Sequence, residues 1–136
     1  MKIDGRCHCG AITFEAELDP ATVGICHCTD CQTITGSAFR HVGFVPEADF
    51  RLLSGKPKAY VKTAESGIKR VLTFCPDCGT AIHSTDAEGD GPKVYGVRLG
   101  AVAQRDMLPP KLQVWRRSAQ PWVDDLQALP GIEKQS

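Results

Sequence analysis

Every cysteine of the chain falls in one of three short clusters: Cys7-His8-Cys9-Gly10, Cys26-His27-Cys28-Thr29-Asp30-Cys31 and Cys75-Pro76-Asp77-Cys78-Gly79. Zinc takes thiolate ligands readily and prefers four of them in a tetrahedron. Cys-x-Cys and Cys-x-x-Cys spacings let two sulfurs from one turn reach a single ion. Cysteines that merely fill a core are not grouped in this way. The count of seven is odd, so complete disulfide pairing would leave one thiol over. A fold that brings such clusters together must close long loops, and metal ligation is the interaction that does so.

The clusters are not equivalent. Cys9 and Cys78 are each followed directly by glycine, Gly10 and Gly79. Glycine there tolerates positive φ, which lets a turn fold its amides toward the sulfurs. The first and third clusters therefore read as matching halves of one four-cysteine site, Cys7, Cys9, Cys75 and Cys78. The middle cluster offers Cys26, Cys28 and Cys31 with no cysteine left as a fourth ligand. Three protein ligands and one open position are the pattern of a reactive zinc, not a scaffold zinc. Two zinc ions per chain are expected. A second reading stays open, in which His27, Asp30 or a remote histidine (His41, His83) completes the middle set and both sites are structural. A third treats the chain as a non-catalytic zinc-binding interaction module.

At 136 residues the chain is expected to form one zinc-binding domain over 1–136. Lysine and arginine balance aspartate and glutamate at 16 each, so no basic field calls for nucleic acid or an anionic membrane. No run approaches the length of a membrane span. Met1-Lys2-Ile3-Asp4-Gly5-Arg6 has no apolar core of a signal peptide. A cytoplasmic setting follows as the expectation, where thiols stay reduced and clustered cysteines favour metal. The sequence sets no oligomeric state.

Ala11 to Leu18 alternates, with Ile12, Phe14, Ala16 and Leu18 on one face, as a half-buried strand does. Further strand-like runs are Ala38 to Val45, Phe50 to Leu53, Ala59 to Thr63, Ile68 to Phe74, Ala81 to Ser84, Val94 to Leu99 and Leu112 to Trp115. Glu65-Ser66-Gly67 reads as a hairpin turn and Asp86 to Pro92 as a surface loop. Thr29 and Gln32 have capping-box spacing, which predicts a short helix from Asp30 to about Thr35 ending at Gly36. Trp122, Leu126 and Leu129 predict a short amphipathic helix near the end. The fold class is mainly β.

Taken together, Cys7-x-Cys9-Gly10, Cys26-His27-Cys28-x-x-Cys31-Gln32 followed by Gly36-Ser37-Ala38-Phe39, and Phe74-Cys75-Pro76-x-Cys78-Gly79-Thr80 resemble the glutathione-dependent formaldehyde-activating enzyme family, whose domain centromere protein V shares. The resemblance spans about residues 3–130. It implies a β-tent fold of small antiparallel sheets around a structural four-cysteine zinc at Cys7, Cys9, Cys75 and Cys78, with a catalytic zinc at Cys26, Cys28 and Cys31. It also implies a carbon–sulfur lyase that condenses glutathione with formaldehyde to S-hydroxymethylglutathione, so the partners are a small thiol and an aldehyde. Glutathione is anionic, and Arg40, Lys69, Arg70, Arg98, Arg116 and Arg117 are the candidate cations. Trp115 and Trp122 read as core or rim packing.

Overall fold

The computed structural model describes residues 1–135. Among them, ten strands and one α-helix follow in order: β1 (Lys2–Arg6), β2 (Thr13–Glu17), β3 (Gly24–Cys26), α1 (Thr29–Thr35), β4 (Arg40–Pro46), β5 (Phe50–Ser54), β6 (Lys58–Thr63), β7 (Lys69–Phe74), β8 (Ala81–Asp86), β9 (Val94–Arg98) and β10 (Leu112–Val114), with short 3-10 turns between. The protein is mainly β. A three-stranded antiparallel sheet has the order β1-β2-β5, and a seven-stranded sheet has the order β10-β3-β4-β9-β8-β7-β6. All pairs in the larger sheet are antiparallel except β10 with β3, which run parallel.

Alternation along the strands decides what each face does. The inner face of the small sheet gives Ile3, Phe14 and Ala16 to the core, and the large sheet meets it with Val45 and Val97, joined by Ile82 and Leu99. Phe14 stacks on Phe50 with ring centroids 5.2 Å apart. The residues between those positions on β4 and β9, namely Arg40, Val42, Phe44, Gly96 and Arg98, turn to the opposite face. The register sets Val42 beside Arg98 and Phe44 beside Gly96 on neighbouring strands, then Gly96 beside Ser84 and Ser84 beside Leu72. This second face is where the middle cysteine cluster lies.

Three expectations need correction. Thr29 is not the helix cap: Cys28 is, its sulfur accepting the Cys31 N–H at 3.3 Å. Gln32 does not complete a capping box. It donates instead to the carbonyls of His27 at 2.7 Å and Ser118 at 2.9 Å, and so ties α1 to the segment after β10. The C-terminal amphipathic helix is also absent. Val123–Ala128 forms 3-10 turns broken at Asp125, and Trp122, Leu126 and Leu129 stay exposed. With these apolar side chains exposed, no packing offsets the cost of nucleating a short α-helix here, and Arg116 holds Asp124 near its start at 2.9 Å.

On the core side His83 lies flat on Tyr95, with centroids 4.0 Å apart and planes 8° from parallel, and Phe50 meets it edge-on at 5.1 Å. Burial, reinforced by the Arg98 charge, draws its pKa down from the ordinary 6.5 to about 4. The folded chain thus keeps this ring neutral where the unfolded chain protonates it. Between those values the unfolded state binds more protons, so stability falls as pH drops from about 6.5 to about 4. His83→Gln should flatten the dependence of the melting temperature on pH across that window relative to wild type.

Candidate metal centres and pocket

Two groups of sulfurs converge. Those of Cys7, Cys9, Cys75 and Cys78 lie within 4.8 Å of one another, as do those of Cys26, Cys28 and Cys31. In the first group Cys7 and Cys9 are 3.6 Å apart and Cys9 and Cys75 are 3.7 Å apart. A zinc–sulfur bond of about 2.3 Å gives a tetrahedron with edges of about 3.8 Å, so this spacing fits a zinc ion. Gly10 and Gly79 follow their cysteines with φ of 83° and 79°. The Ile12 N–H donates to the Cys7 sulfur at 3.2 Å. The Cys78 sulfur lies 3.2 Å from the Thr80 hydroxyl, and that contact, with backbone N–H groups adding to it, draws the Cys78 thiol down to about 5. These donors stabilise negative sulfur. Cys7 and Cys75 are fully buried, while Cys9 is exposed and Cys78 half-buried.

The second group is set at the junction of β3, α1 and β4. Cys26 ends β3 and pairs with Arg40 across the sheet, while Cys28 caps α1 and Cys31 occupies its first turn. Hydrogen bonding from Cys26 is the largest influence lowering the Cys31 thiol, which falls to about 4 with help from Arg40 and against burial. Cys26 is raised in turn, first by Cys31 and then by burial. The set therefore holds negative charge at Cys31 first. Arg40 donates its Nε–H to that sulfur at 3.4 Å. Among the described residues no fourth histidine, cysteine, aspartate or glutamate joins the three. His27 is buried and bonds Gln113 at 2.9 Å, and His41 bonds the Leu108 carbonyl at 2.9 Å. Asp30 pairs with Lys62 at 3.0 Å.

The three cysteines open into a cavity of about 320 Å³. Of the candidate cations, Arg40, Arg70 and Arg98 line it, together with Lys62. Lys69, Arg116 and Arg117 do not; Arg116 pairs with Asp124 and Arg117 with Glu65. Lys62 escaped the sequence reading, although its place opposite Arg70 on the β6–β7 hairpin follows from the register once the hairpin turn is located. Trp115 stands at the mouth of the same cavity, which no sequence pattern signalled.

Residues 2–118 match the family model described as glutathione-dependent formaldehyde-activating enzyme. The chain belongs to this family. A crystal structure of a Rhodobacter sphaeroides protein is similar in fold, with a TM-score of 0.61 at 24% identity, covering 81% of this chain and 98% of that one. No curated protein matches the chain. Membership gives the two sulfur groups a family context of glutathione and formaldehyde chemistry, and both groups are able to hold a metal ion. No helix among the described residues is long and apolar enough to cross a membrane.

Proposed function

We propose that the protein is a zinc-dependent carbon–sulfur lyase-type enzyme that joins a small thiol to formaldehyde and also runs the reverse cleavage, with glutathione the thiol named by its family. The observation that carries this reading is a three-sulfur group with no fourth histidine, cysteine, aspartate or glutamate donor among the described residues, opening directly into a cavity lined by cations. Cys7, Cys9, Cys75 and Cys78 would hold a structural zinc, and Cys26, Cys28 and Cys31 a second. When bound at the second site, zinc supplies a soft Lewis-acid position that favours thiolate over thiol.

The chain's own groups then do the positioning. Arg40 and Arg98 provide fixed positive charge beside the sulfur anion, in a cavity whose apolar lining strengthens that attraction. Ser84, fixed by the Arg70 guanidinium at 3.2 Å, supplies a hydroxyl on the cavity wall. In the addition, a sulfur lone pair forms the carbon–sulfur bond and the carbonyl π electrons move onto oxygen. The proton given up by the thiol ends on that oxygen, so atoms and charge balance without a co-reactant. Holding the two reactants together removes part of the entropic barrier.

Thiol addition to formaldehyde also proceeds unaided, so the test must measure exchange against that background. Exchange between formaldehyde and glutathione, followed by NMR, should be at least about tenfold faster with zinc-loaded protein than with buffer holding the same zinc, an acceleration of about 1.4 kcal/mol. Equal rates would remove the reading for this substrate pair.

A further inference from the structure

Charge around the second cysteine group is uneven. Lys62 is neutralised by Asp30 and Arg70 by Asp86. Arg40 and Arg98, only 5% and 9% exposed, pair with no carboxylate among the described residues. Arg40 is held by the Cys31 sulfur, and the Arg98 guanidinium donates to the Gly96 carbonyl at 3.1 Å. A buried guanidinium without an anion is costly. Burial and the neighbouring Arg40 charge draw Arg98 down to about 9, against the opposing pull of the Cys31 and Cys26 sulfurs.

Three thiolates on one zinc leave a single negative charge, which Arg40 offsets. One further thiolate would offset Arg98, and the site would then be neutral. Beyond that point the cavity offers no unpaired charge among the described residues. Its mouth is instead a collar of apolar side chains that stand open: Ile34, Phe44, Leu112, Val114 and Trp115. Leu112 is 64% exposed. Exposed apolar side chains sharing one cavity with buried cations fit an apolar body. Glutathione, with two carboxylates and an ammonium group, would bring charges that meet no free partner there.

From this charge balance and collar we infer that the thiol this site selects has an uncharged, apolar body, an aliphatic or aromatic thiol in preference to a charged tripeptide. The inference rests on the proposed thiol–aldehyde reading and narrows its substrate class.

The test uses zinc-loaded full-length protein carrying Trp122→Phe, so that fluorescence reports Trp115 at the collar. Butane-1-thiol, 2-mercaptoethanol and glutathione are titrated separately, and each is also assayed for condensation with formaldehyde. Butane-1-thiol should half-saturate the signal at a concentration at least about tenfold below the other two. Leu112→Ser should erase about that factor for butane-1-thiol, since some 55 Å² of lost apolar contact is worth about tenfold. If glutathione binds as tightly as butane-1-thiol and is condensed, the apolar preference is wrong while the thiol–aldehyde reading stands. If no thiol perturbs Trp115 and none is condensed, both fall.

Discussion

Cys75→Ser is expected to leave no folded protein at 25 °C, and stripping metal from the wild type with a strong chelator should have the same result. The four sulfurs of the first group come from the turn after β1 and the turn between β7 and β8, so one metal would tie residues 7–9 to residues 75–78. Structural zinc carries apparent binding free energy of about 10–16 kcal/mol in small domains, against a total stability of about 5–15 kcal/mol. Serine is a far poorer zinc ligand than thiolate, and the Cys75 sulfur is fully buried, so the lost bond is not replaced by water at low cost. Nearby hydrogen bonds cannot carry the load. The Cys75 N–H to Thr80 carbonyl bond, 2.9 Å, is one of a few in that turn, each worth about 1 kcal/mol net. Far-ultraviolet circular dichroism and limited proteolysis would read the outcome. A Cys75→Ser protein that melts cooperatively near the wild-type temperature would show that the group is not a structural metal centre.

How much of this was legible in the residues depended on whether the signal was local. The β2 strand could be read because Phe14 and Ala16 alternate with Thr13, Glu15 and Glu17. The β6–β7 turn could be read because Glu65-Ser66-Gly67 parts two strand-like runs, and Gly67 there takes a positive φ of 89°. By contrast β1 has only Ile3 as a large apolar residue, and Gly5 faces the core because the Phe14 ring covers it, a contact that exists only after pairing. β3 is three residues long and contains Cys26, so its strand character comes from its neighbours β4 and β10 and not from its own sequence. The sulfur groupings follow from cysteine spacing and from Gly10 and Gly79. The pocket does not. Arg40, Arg70 and Arg98 lie on three different strands of one sheet face; alternation along β7 turns Lys69 away from it, and Arg116 and Arg117 lie in a 3-10 turn beyond β10. The C-terminal segment misled because its i, i+4, i+7 spacing of Trp122, Leu126 and Leu129 is a helix pattern, while those side chains stay exposed and no packing offsets the cost of nucleating a helix.

Cys31→Ser is expected to separate the two metal sites. Zinc per chain should fall from about two to about one, because three thiolates are the minimum protein set for an open zinc site. Exchange between formaldehyde and thiol should slow to the unaided rate, losing the acceleration of about tenfold or more, worth about 1.4 kcal/mol, expected of the zinc-loaded wild type. The fold should survive. Cys31 belongs to no core cluster, and α1 keeps its cap, since the Cys28 sulfur accepts from the backbone N–H of residue 31 and not from its side chain. Cys28→Ser should reach the same loss of zinc and rate while also replacing that sulfur cap, so any extra stability difference between the two variants, about 1 kcal/mol or less, measures the cap alone. Elemental analysis, thermal melting and the exchange assay on the same preparations make the distinction. Cys31→Ser protein that retains two zinc ions and full exchange rate would mean that a side chain other than Cys31 completes the second centre, and the open position on which the catalytic reading depends would not exist.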